Sequence, residues 1–106
     1  MGKNENDFQS ELIKDIKTTF GDDIMILKND PNYIRGIPDL TILDRKTAKW
    51  AFLECKKSEK DMKRRKDGGA TLQEYYISHN GCAYASFVYP ENRSQVLNEL
   101  QQSLRS

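Results

Sequence analysis

Three residues in two short strings have the types and spacing for hydrolytic chemistry. Asp39 lies in Gly36-Ile37-Pro38-Asp39-Leu40, and Glu54 and Lys56 lie in Phe52-Leu53-Glu54-Cys55-Lys56. An acid-x-Lys string means little alone, since the chain also has Asp15-Ile16-Lys17, Asp44-Arg45-Lys46 and Asp61-Met62-Lys63. Strand geometry separates one from the rest. If a hairpin closes around Lys46-Thr47, opposed residue numbers sum to 93 and Asp39 falls across from Glu54. Their Cβ atoms would then be ~5 Å apart. Strand side chains alternate, so Lys56 projects from the same face as Glu54. Two carboxylates and an amine converge at the open end of one hairpin.

Like charges placed opposite one another on a sheet are destabilising, so folding alone supplies no reason for this pair. A divalent cation does. Mg²⁺ prefers hard oxygen ligands and binds through one or two carboxylates plus substrate phosphate oxygens. Such an ion polarises a scissile phosphate and acidifies a bound water, while Lys56 orients that water or stabilises developing charge. The chemistry expected is phosphodiester hydrolysis. Without chemistry, Asp39 and Glu54 would mark strand ends and Lys56 would open a solvated loop.

Other residues are placed to assist. The segment Lys56 to Lys66 holds seven basic residues against two acids, a local charge of +5. Lys57, Lys60, Lys63, Arg64, Arg65 and Lys66 therefore form a candidate polyanion contact, or else a solvated loop before Gly68-Gly69. The first 23 residues carry three lysines against six acids. There Glu5 and Gln9 align with the apolar stripe of a helix, which makes Glu5 either a further metal ligand or a helix-start carboxylate facing the macrodipole. Glu11 points away and is the second choice. Gln73 can donate its amide to a phosphate or to the attacking water, or simply serve as a helix former on a wet face. One of Tyr75 and Tyr76 should pack while the other reaches outward. His79 suits a helix C-terminus, and Trp50 shares a face with Phe52 and Glu54 as a wall beside the site.

The elements that must position these groups follow from periodicity. Phe8, Leu12, Ile13, Ile16 and Phe20 make an amphipathic helix ending at Gly21. Ile24 to Leu27 reads as a strand buried on both faces, and a loop from Asn29 to Pro38 follows. Asp39 to Leu43 and Trp50 to Cys55 form the hairpin, joined by Asp44 to Lys49. Ala70 to Asn80 reads as a helix and Cys82 to Tyr89 as a fourth strand. Ser94 can cap a last helix with Val96, Leu97, Leu100 and Leu104 buried. The order is αβββαβα, a mixed sheet flanked by helices. At 106 residues the chain has room for one domain, 1–106. With 37% hydrophobic and 31% charged residues and a net charge of +1, a charge-driven disordered tail is excluded. No apolar run suits a membrane span and the polar start lacks a secretory h-region, so a cytoplasmic protein is expected. Cys55 and Cys82 are expected to be thiols in the core.

Taken together, these strings resemble the PD-(D/E)xK nuclease superfamily and, within it, the virus-type replication-repair nuclease (VRR-NUC) family. The resemblance rests on Glu5-Asn6-Asp7-Phe8-Gln9, the Asp39 and Glu54-x-Lys56 strings, Leu72-Gln73 and Ser94, which together span most of the chain. It implies a restriction-endonuclease-like αβββαβ core with an extra C-terminal helix. It also implies a Mg²⁺-dependent or Mn²⁺-dependent DNA nuclease, with Asp39, Glu54 and the Cys55 carbonyl as metal ligands and Lys56 as the catalytic amine. Glu5 and Gln73 would support them. Stand-alone members, from bacteria and phage, resemble homodimers that cut branched DNA, four-way (Holliday) junctions included. The alternatives are a flap or restriction-type nuclease, or a nucleic-acid-binding module with this fold and no catalysis.

Overall fold

A computed structural model of the chain describes residues 5–61, 72–78 and 81–106. Its elements run α1 (Glu5–Phe20), β1 (Ile24–Lys28), β2 (Leu40–Asp44), β3 (Trp50–Cys55), α2 (Leu72–Ser78), β4 (Tyr84–Val88) and α3 (Arg93–Arg105). This is the expected order. The strands lie side by side as β1-β2-β3-β4, antiparallel except for the parallel β3–β4 pair. Helices flank this four-stranded mixed sheet, so the chain is an α/β fold.

One sheet face is the core. Leu40 and Ile42 of β2, Ala51, Leu53 and Cys55 of β3 and Val88 of β4 alternate onto it, as period-two patterning requires. Over them lie Phe8, Leu12, Ile16 and Phe20 of α1 and Val96, Leu100 and Leu104 of α3, with Ile13 and Leu97 at the margin. These residues recur every four positions because one stripe of each helix meets the sheet. α1 stops where expected, at Gly21, whose φ of 76° suits the left-handed position that ends a helix.

Three expectations need correction. β1 is not buried on both faces: it is the edge strand, and Leu27 is 48% exposed. Apolar content alone does not tell an edge from a centre, and among the described strands β1 pairs with β2 alone. The start of α3 is not capped by Ser94; the helix begins at Arg93 with Asn92 at the cap position. Asn92 is held there by its side chain, which accepts from Tyr89 N–H (2.8 Å) and donates to the Phe87 carbonyl (3.1 Å). Cys82 is only half-buried and precedes β4, its thiol donating to the Tyr84 carbonyl. No helix among the described residues is long and apolar enough to cross a membrane.

The far end of the hairpin is fastened by an ion pair whose acid is buried. Asp44 alternates onto the core face and is 0% exposed. One carboxylate oxygen accepts from Lys46 N–H and the other from Arg105 Nε at the end of α3. Arg105 also donates to the Phe20 carbonyl (3.1 Å) and stacks its guanidinium 5.1 Å from the Phe20 ring centre. One side chain thus joins the ends of α1, β2 and α3. The same connector holds Ala48 at φ 62°, where a Cβ is unfavourable.

Two stability outcomes follow. Arg105→Ala should cost about 2–4 kcal/mol in urea unfolding, because it strands a buried carboxylate, and most of that loss should vanish in the background of Asp44→Asn. Ala48→Gly should stabilise by about 0.5–1 kcal/mol in the same assay, since glycine occupies the left-handed region without a Cβ penalty.

Candidate active site

The hairpin pairs Leu40 with Leu53, Thr41 with Phe52, Ile42 with Ala51 and Leu43 with Trp50. Each pair sums to 93, so the register that sets Asp39 across from Glu54 is the one adopted. Polar groups then extend the ladder beyond Leu40. Asp39 N–H donates to Glu54 Oε1 (2.9 Å) and Cys55 N–H donates to Asp39 Oδ2 (2.9 Å). Each acid is held by a backbone amide of the opposite strand. The two carboxyl groups are also within hydrogen-bonding reach of one another.

Lys56 completes the cluster. Its backbone N–H donates to the Val88 carbonyl (2.8 Å), carrying the parallel β3–β4 pairing one residue past Cys55. Its ammonium lies 3.8 Å from Glu54 Oε2, and the side chain is 21% exposed against 2% for Glu54. Alternation separates the roles of neighbours: Cys55 joins the helical core, while Glu54 and Lys56 project from the other face. On that second face Trp50 is half-buried and meets Phe52 edge to face at 5.0 Å.

The Asp39 carboxyl is raised from its ordinary value near 3.8. Burial is the chief cause, and the Cys55 amide, the Lys56 charge and the Glu54 contact oppose it only in part. A carboxylate that is costly to ionise beside a second carboxylate is suited to a cation. The donors are hard oxygens, and two carboxylates suffice for Mg²⁺ when waters and phosphate fill the remaining positions. Among the described residues no group of three or more His, Cys, Asp or Glu side chains converges. Glu11 accordingly does not join the pair; it lines a surface groove with Lys14, Asp15 and Arg93.

Other expected participants divide by position. Lys57 and Lys60 are exposed just beyond the cluster. Lys63, Arg64, Arg65, Lys66 and His79 lie outside the described residues, as do the side chains of Glu5 and Gln73. Tyr75 is exposed and Tyr76 half-buried, their rings edge to face. No family model, curated protein or solved structure matches the chain. The geometry of these residues is therefore what bears on function.

Sequence reading passed over one positioning residue. Asn29 N–H donates to the Asp39 carbonyl (2.8 Å), and its side-chain amide donates to the Pro38 carbonyl (2.9 Å) and to Thr41 Oγ1 (2.8 Å). Asn29 clamps the backbone on both sides of Asp39. In sequence it reads as a turn former before Pro31, and nothing there points to residues nine to twelve positions away.

Asp39→Asn tests the strain in the acidic pair. The amide oxygen still accepts from Cys55 N–H, so in metal-free buffer at neutral pH the variant should be the more stable, because it removes a carboxyl whose ionisation burial opposes. Because the folded-state value is raised, Asp39 contributes stability that is present below its ordinary range and lost as pH rises through the raised value. The advantage of the variant should therefore grow with pH across that window, as read by thermal midpoints.

Proposed function

We propose that this chain is a divalent-metal-dependent DNA endonuclease. In this reading the sheet and helices form a restriction-endonuclease-like core, and the protein acts as a homodimer on branched DNA, four-way junctions foremost. The observation that carries it is the pair Asp39 and Glu54, each carboxylate accepting from a backbone amide of the opposite strand, with Lys56 beside them. Structure building alone does not favour two opposed acids, Glu54 buried and Asp39 half-buried, in that relation.

Asp39 and Glu54 would hold Mg²⁺ or Mn²⁺, with the Cys55 carbonyl and Glu5 as further ligands. Bound there, the ion supplies polarisation of the scissile phosphate and a more acidic water. The chain's own groups do the rest. Lys56, partly exposed and 3.8 Å from Glu54, donates to the attacking water or to the charge that develops on the phosphate. Asn29 holds the Asp39 backbone so that its carboxylate does not drift. Gln73 would add an amide donor to the same phosphate. Lys57, Lys60, Lys63, Arg64, Arg65 and Lys66 would neutralise backbone phosphates, which makes binding fall steeply with salt.

Labelled four-way junctions, flaps and linear duplex incubated with and without Mg²⁺ or Mn²⁺ test the reading. Metal-dependent cutting of junctions is expected, and uncut substrates under every condition would overturn it. Glu54→Ala should abolish cutting while retaining or improving DNA binding, because a carboxylate near phosphates repels them when no cation is bound. Lys56→Ala should lower the rate at least ~10²-fold. Binding that persists with no cleavage by the unaltered protein would favour the non-catalytic DNA-binding module.

A further inference from the structure

We propose that the outer edge of β1 is where a second copy of this chain docks, strand to strand and antiparallel, about a twofold axis at Ile26. The hydrogen bonds of the hairpin show which groups are on offer. Asn29 N–H donates to the Asp39 carbonyl, and Arg45 N–H donates to the Asp23 carbonyl. Backbone groups alternate along a strand, so residues 23, 25, 27 and 29 bond inward to β2. Ile24, Ile26 and Lys28 therefore turn their N–H and C=O groups outward, and no described strand lies across them.

An open edge invites pairing, and proteins usually blunt it with proline, a bulge or several charges. β1, Ile-Met-Ile-Leu-Lys, has no proline and a single charge at its end. Only one antiparallel register uses every outward group. Ile26 faces Ile26, and Ile24 faces Lys28 of the second copy, so that each outward amide finds a carbonyl. The side chains agree with that register. Met25 falls opposite Leu27 of the second copy in a close non-hydrogen-bonded pair, which covers the 48% exposed Leu27 twice over. Lys28 arrives next to Ile24, one and two residues from the exposed acids Asp23 and Asp22. Asp30 is out of this ladder, its carboxylate accepting from Asn32 N–H in the turn. Exposed Tyr33 and Ile34 add apolar surface in the turn that follows the strand. The charge pattern is acidic at one end and basic at the other, which is self-complementary only in the antiparallel sense.

As the surface for a nuclease dimer this rests on the reading above; the pairing itself rests on the edge alone. Three strand spacings across and about six residues along separate the two copies of Asp39 by ~25 Å. Both would stand at opposite ends of one continuous sheet.

Sedimentation of the full chain over a concentration series tests the docking, beside junction cleavage as a separate readout. The unaltered protein should dimerise. Leu27→Glu should weaken the dimer at least tenfold with an unchanged circular dichroism spectrum. Lys28→Asp should weaken it several-fold, as should Asp22→Lys with Asp23→Lys, and all three changes in one chain should restore it. That restoration separates lost charge pairing from damaged folding. A monomer up to about 100 µM overturns the docking, as does a dimer indifferent to Leu27→Glu and to the charge exchange. A protein that dimerises in this way yet cuts nothing upholds the docking and removes the nuclease reading. One that cuts as a monomer does the reverse.

Discussion

The two hydrogen bonds exchanged between Asp39 and the Glu54-Cys55 segment are the constraint around which this end of the molecule is arranged. Each uses a backbone amide that the departing strand would otherwise leave unsatisfied, and each aims a carboxylate at its counterpart. Backbone amides of the sheet itself thus help to fix the acids. Shifting the hairpin by one residue would send Asp39 and Glu54 to opposite faces. The long apolar pairs Leu40–Leu53 and Ile42–Ala51, buried under α1 and α3, oppose that shift. Core packing and site geometry are therefore one requirement.

Much of this was legible in the residues because two short apolar runs, Leu40 to Leu43 and Trp50 to Leu53, flank a polar connector. Both runs are apolar on both faces, so it is the closure of that connector at Lys46-Thr47 that points to the register. Where the reading fell short, the missing information is non-local. Ile24 to Leu27 looks central by composition, yet an edge strand differs from a central one only in having no neighbour. Ser94 and Asn92 are both acceptable capping residues, and contacts with Tyr89 and Phe87 select Asn92. The Asp44–Arg105 pair joins residues 61 positions apart, so no local pattern announces it.

The same distinction applies within the site. Asp39, Glu54 and Lys56 can be brought together on paper by one hairpin, because their relation is set by register. Asn29 could not, since its partners lie across the β1–β2 pairing, on the far side of a loop with two prolines. Glu11 illustrates the opposite limit: a helix can carry an acid at any position, and only tertiary placement decides what it approaches.

Alternation at residues 54 to 56 also gives the protein an internal clock. The Cys55 thiol is sealed beneath the helices, while its own backbone N–H donates to Asp39 in the acidic cluster. A thiol reagent reaches that sulfur only when the sheet and its helical cover part, whereas half-buried Cys82 responds without such an event. The lag between the two labelling rates measures how often the central strands breathe, at the very peptide that carries the acids.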